Sequence, residues 1–194
     1  MAAMTTIAAG TPAGQVSRPQ ADHSKMNQSS KEECEQVMNL LIPAAQRLLE
    51  KHGEFFPLGA AMQADGKIAA VATYEGDEHP PSQKVIDSSA QAFRHGAKEG
   101  KYRATGLSYD IRTIPPGSKD KTDAVAVRLD HAGGYSVVVV FPYRISSQHA
   151  VTSGEPFGSK GSADIFQMGS RDGGSSGWGE SAPDTRPPSG SRAS

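Results

Sequence analysis

The sequence predicts an α+β domain: a single five-stranded antiparallel sheet covered by helices, in the order α-β-β-α-β-β-β, between disordered tails. Three observations lead there. Two stretches, about 30–52 and 82–100, repeat apolar residues at three- and four-residue spacing. Five shorter stretches alternate or run apolar at strand length, and both ends of the chain lack a sustained apolar period.

The first helix is expected to start at Ser30, because Ser30 and Glu33 form a capping-box pattern in which each side chain satisfies a free backbone N–H. Cys34, Val37, Met38, Leu41, Ala45, Leu48 and Leu49 then make one apolar stripe that Gly53 ends, and Pro43 is expected to kink it. In "FFPLGAAMQADGKIAAVATY" (55–74), Asp65-Gly66 tolerates the positive φ of a tight turn between two apolar segments, so a β-hairpin is expected. Pro57 cannot donate to a ladder and belongs at a strand start or on a free edge. The small residues of this hairpin suit a closely packed helix. A second helix follows Pro80-Pro81-Ser82, with Val85, Ile86, Ala90, Phe93 and Ala97 at helical spacing and Gly100 closing it.

Three strands complete the order. "YRATGLSYDIRTI" (102–114) sets Leu107, Tyr109 and Ile111 against Ser108, Asp110 and Arg112, the pattern of a half-buried strand. "DAVAVRLDH" (123–131) alternates Val125, Val127 and Leu129. "YSVVVVFPY" (135–143) is apolar on both faces and reads as a central strand. "EPFGSKGSADIF" (155–166) is expected to pack back on the domain as a short irregular segment. Residues 1–29 and the Gly/Ser/Pro-rich 168–194 cannot bury enough apolar surface to offset the entropy of ordering, which leaves 30–167 as the domain.

Composition excludes several functions. Twenty basic and 21 acidic residues leave a net charge of −1, so no broad field attracts nucleic acid or an anionic membrane, and neither is an expected partner. Runs such as "VVVVF" fall far short of the roughly 18 apolar residues of a membrane span. One cysteine excludes a disulfide within the chain, and "MAAMTTIAAGTPAG" makes a poor signal peptide, so a cytoplasmic protein is expected.

Candidate chemistry is sparse. Glu75, Asp77, Glu78 and His79 crowd into five positions and form a candidate binding loop; the competing explanation is a helix approach, where carboxylates meet the positive pole of the dipole. Arg94, Lys98, Lys101 and Arg103 form a candidate patch for an anion or an acidic partner, or simply complement the second helix's negative end. No Cys or His pair stands at zinc spacing and no calcium loop is present, so no metal is expected. There is no phosphate-binding loop, dinucleotide fingerprint or nucleophile elbow, so no cofactor and no catalytic residue are assigned. Cys34 begins the apolar stripe among Glu32, Glu33 and Glu35 and reads as a buried, neutral thiol. His52 and His95 suit helix-end capping, whereas His23, His131 and His149 read as solvated.

The phrases "EFFPLGAAMQADGKI", "DEHPPSQKVID" and "VVVVFPYR" resemble those of small, functionally uncharacterised bacterial α/β single-domain proteins, some of them associated with toxin–immunity neighbourhoods, across roughly residues 35 to 166. The element order resembles the roadblock and profilin-like architecture, whose members mostly serve as interaction modules. These resemblances carry no catalytic motif and transfer no residue role. The expected function is therefore a non-catalytic protein-interaction domain, immunity-like or roadblock-like, acting on a protein partner or by self-association. The alternative is a small-ligand-binding protein or enzyme with a site built from the loops at 75–79 and 115–122.

Overall fold

The computed structural model describes residues 21–72 and 80–167. It is an α+β fold with two helices on opposite faces of one antiparallel sheet. The sheet holds seven strands rather than the expected five. Helix α1 spans Ala21–His52, followed by the β1–β2 hairpin (Leu58–Gln63 and Ile68–Val71) and α2 (Ser82–Lys98). Three long strands come next: β3 (Tyr102–Thr113), β4 (Thr122–His131) and β5 (Ser136–Ile145). The two additional strands, β6 (Val151–Ser153) and β7 (Phe157–Lys160), come from the stretch after β5, part of which was expected to be irregular.

Spatially the strands run β2-β1-β3-β4-β5-β6, and β7 also pairs with β5. β6 meets Tyr143 to Ile145 and β7 meets Val137 to Val140, so the two share the outer edge of β5 as one interrupted strand. Gly154, Glu155 and Pro156 make the break; proline has no N–H for a ladder. The opposite edge is β2, only four residues long. Both edges are thus short, which limits the backbone they offer to another chain.

Helix α1 begins at Ala21 and not at Ser30. The capping box does not form, because Ser30 lies inside the helix: its hydroxyl donates back to the Met26 carbonyl at 2.9 Å, and Glu33 turns to His131 and Arg103. Pro43 is accommodated within the helix. The predicted stripe does bury: Cys34, Val37, Leu41, Ala45 and Leu49 pack with Ala60, Met62, Ala104, Val125, Val127, Leu129 and Tyr143. Burying each Val or Leu contributes about 1.5–3 kcal/mol. Gly106 sets how close α1 can come, since a Cβ there would stand 2.7 Å from Val37 Cγ1 and 2.8 Å from Leu41 Cδ1.

On the other face, Ile86, Ala90 and Phe93 of α2 pack against Ala61, Leu107 and Ile165. Helix α2 carries the chain from edge strand β2 across β1 to β3, which pairs with the far side of β1. The small hairpin residues permit this crossing: a Cβ on Gly59 would lie 3.1 Å from the Phe93 ring.

Of three expectations about strand position, one is met and two are corrected. Pro57 does sit at a strand start, but β1 lies between β2 and β3, so Pro57 guards no edge. Strand β3 is central and buried on both faces from Ala104 to Ser108, so of its polar alternates Ser108 does not face water, while Asp110 is half-buried and Arg112 exposed. Strand β5, read as central from its valines, is next to the outer edge; several of those valines remain half-buried, with α1 lying over β1, β3 and β4 and α2 over β3. The hairpin turn is as expected. Gly66 adopts φ +87° and Lys67 N–H donates to Asp65 Oδ1 at 3.0 Å.

Candidate functional site

The acidic candidate loop, Glu75, Asp77, Glu78 and His79, lies outside the described residues. The four basic candidates are described, and three of them pair with different carboxylates. Arg94 bonds Asp164 at 2.6 Å, Lys101 pairs with Glu99 at 2.6 Å, and Arg103 pairs with Glu33 at 2.9 Å. Lys98 is exposed on the last turn of α2. The Lys101 partnership holds the Glu99 carboxyl below the usual carboxylate range and raises the lysine. His95 reaches Glu99 at 3.5 Å along the same helix. His52 and His149 are exposed.

His131, expected to be solvated, is instead largely enclosed. Its Nδ1 accepts the Gly133 N–H at 2.8 Å, so Nε2 carries the proton and faces Glu33 Oε2 at 2.9 Å, while Glu33 Oε1 takes Arg103. With the Nδ1 lone pair held by the turn, this imidazole has no free acceptor with which to take a proton from a substrate. The neighbouring Cys34 is fully buried, and burial first, then the charges of Asp130, Glu33 and Glu35, push its thiol up to about 12. Cysteine, histidine and glutamate are therefore neighbours without forming an activated nucleophile. Among the described residues, no group of three His, Cys, Asp or Glu side chains is arranged to hold a metal ion.

A largely apolar groove of about 620 Å³ lies at the open end of the β1–β2 hairpin. Leu40, Leu41 and Ala44 of α1 line one side, Phe56 to Gly59 and Ala70 to Ala72 the floor, and Val85 of α2 the other side. Among the described residues, Arg47 is the one charged residue in that lining. Leu40 and Phe56 are 45% and 36% exposed. The sequence signal for this groove lay in Leu40 itself, an apolar residue beside Leu41 that falls off the buried stripe, and in Phe56 next to the buried Phe55.

A second cleft, of about 690 Å³, lies at the far end of the sheet. The 115–122 connection supplies one wall through Pro115, Pro116, Asp120 and Lys121, and the break between β6 and β7 supplies the other through Glu155 and Pro156. The mixed charges around it share no hydrogen-bonded centre among the described contacts, apart from the local Ser118–Asp120 turn bonds.

One constellation had no counterpart in the sequence reading. Arg128 and Asp130 on β4 face α2, and Arg128 contacts Asp164 as well as Asp130. The signal was present as Arg-x-Asp on a strand face otherwise occupied by Ala124 and Ala126, but nothing local shows whether such a face meets water or a helix.

No family model, no curated protein and no solved structure matches the chain. What these surfaces can do therefore follows from their own geometry. Among the described residues, no helix is long and apolar enough to cross a membrane.

Proposed function

We propose that this is a non-catalytic, cytoplasmic protein-interaction domain that receives an apolar segment of a partner protein in the groove at the open end of the β1–β2 hairpin. The observation that carries this reading is the lining: a concavity of about 620 Å³ whose described residues are apolar apart from Arg47 and Ser89, with Leu40 and Phe56 partly exposed in it. Exposed apolar surface in a concavity costs stability in the free protein and is recovered when a partner covers it. Among the described residues of that lining, the convergent polar groups that an enzyme needs to move charge or protons are lacking.

The test places a photo-crosslinker at position 40 of the full chain and compares it with the same probe on an exposed residue away from the groove, such as Lys160. The expected result is a protein adduct specific to position 40 and lost in Phe56→Asp, with the melting temperature of that variant within a few degrees of wild type. An adduct equally strong from position 160 would remove the groove from the reading.

The cleft walled by the 115–122 connection supports a second reading, small-ligand binding at the far end of the sheet. A small molecule protected by this cleft would raise the melting temperature in wild type and not in Lys121→Ala.

A further inference from the structure

After β7 the chain crosses the α2 face of the sheet. The last backbone–backbone hydrogen bond of this stretch joins Gly161 N–H to the Ser136 carbonyl at 3.1 Å. Beyond it, side chains hold residues 162–167. The Asp164 carboxylate accepts from Arg94 at 2.6 Å through Oδ2, and from Arg128 and from Ser162 Oγ, the latter at 2.8 Å, through Oδ1. Ile165 is 5% exposed among Ala61, Ile86, Ala90, Phe93 and Leu107, and Phe166 packs on the same cluster. Ala163 N–H donates to Ser136 Oγ at 3.0 Å, and that hydroxyl donates to Asp130 at 2.8 Å.

This is how a peptide ligand is held: one carboxylate between two guanidiniums, and the next side chain in an apolar socket. The receptor half is built from other elements of the fold. Arg128 comes from β4, its side chain is 8% exposed, and Asp130 fixes it in place; Arg94 comes from α2. A cleft of about 460 Å³ lined by Ile86, Asp87, Ala90, Gln91, Arg94 and Arg128 continues beside the segment, so the surface is larger than its occupant. Ala163 meanwhile takes φ +54°, a left-handed conformation that an L side chain rarely adopts, so docking its own segment strains the chain.

We propose that α2 and β4 form a peptide-binding groove and that Ser162-Ala163-Asp164-Ile165-Phe166 is its built-in occupant. A partner protein carrying a carboxylate followed directly by large apolar side chains displaces it. This groove is separate from the one at the β1–β2 hairpin and does not depend on the function proposed there. The internal occupant carries the strain at Ala163 because β7 fixes the chain just before it, whereas a free peptide making the same side-chain contacts is not tied there.

The test uses the full chain and a fluorescein-labelled peptide of residues 161–167, GSADIFQ, read by anisotropy. Ile165→Asp and, separately, Asp164→Ala each remove one of the internal occupant's two anchors and so free the groove for the peptide. Either variant, folded by circular dichroism, is expected to bind the peptide at least ten-fold tighter than wild type. A peptide carrying Asp164→Asn, or Arg94→Gln added to the emptied chain, is expected to lose at least five-fold. A folded variant that takes up the peptide no better than wild type, or that binds the Asn peptide equally well, overturns the proposal. Unfolding of both variants makes the segment part of the core and overturns it too. Dimerisation of an emptied variant without peptide uptake assigns the groove to exchange between copies, and is equally decisive against it.

Discussion

Arg128 and Asp130, two residues apart on β4, share a face of the sheet and a hydrogen bond: Arg128 Nε donates to Asp130 Oδ2 at 2.9 Å, with the side chains 8% and 3% exposed. Taking such charges out of water is costly, and the pair is tolerable because each is the other's partner and Ser136 and Asp164 take further bonds. Arg128→Met leaves Asp130 buried without its cation and is expected to cost about 3–5 kcal/mol in denaturant unfolding. Arg128→Met with Asp130→Leu is expected to cost clearly less than the sum of the two single changes. Additive losses would show that the two side chains act independently.

Cys34 ties pH to stability. Its thiol rises from the ordinary 9.0 to about 12 because it is buried, so the folded protein keeps this proton over a range where the unfolded chain releases it. The native state binds more protons there, so stability present below about pH 9 falls as pH climbs toward 12. Cys34→Ala is expected to flatten the alkaline part of the stability curve relative to wild type. At pH 8 the native thiol should resist iodoacetamide and react only in denaturant; rapid labelling of the folded protein would contradict its burial.

Gly106 tests the approach of α1 to the sheet. An added methyl would fall within 3 Å of Val37 and Leu41, both buried short side chains with little room to move. Gly106→Ala is expected to destabilise by about 1–3 kcal/mol, although alanine restricts the unfolded chain more than glycine does. A stabilised variant would mean that α1 can shift outward at no cost.

Ser108 makes the opposite prediction. Its hydroxyl is fully buried on β3 without a hydrogen-bond partner, and an unsatisfied buried hydroxyl costs about 1–3 kcal/mol. Ser108→Ala removes that cost at the expense of a few contacts, so thermal unfolding should shift upward. A drop of several degrees would indicate a partner, such as a bound water, that satisfies the hydroxyl.

By itself the sequence determined the α+β class, the first stripe, the hairpin at Asp65-Gly66, the extent of α2 and the buried state of Cys34. Each of these is local: periodicity reports which face of a segment is buried, and glycine with φ > 0 reports where a chain turns. The tertiary structure decided the rest. Ser30 and Glu33 have the letters of a cap, but α1 runs through them because Ser30 is buried and Glu33 gains His131 and Arg103, residues far away in the chain. Four consecutive valines marked β5 as apolar without revealing that both helices sit elsewhere and leave it next to the edge. The apolar groove and the Arg94–Asp164–Arg128 clasp are assembled from segments that meet only after folding. Which side chains converge across a sheet depends on strand order, and strand order is set by long-range packing that no local pattern encodes.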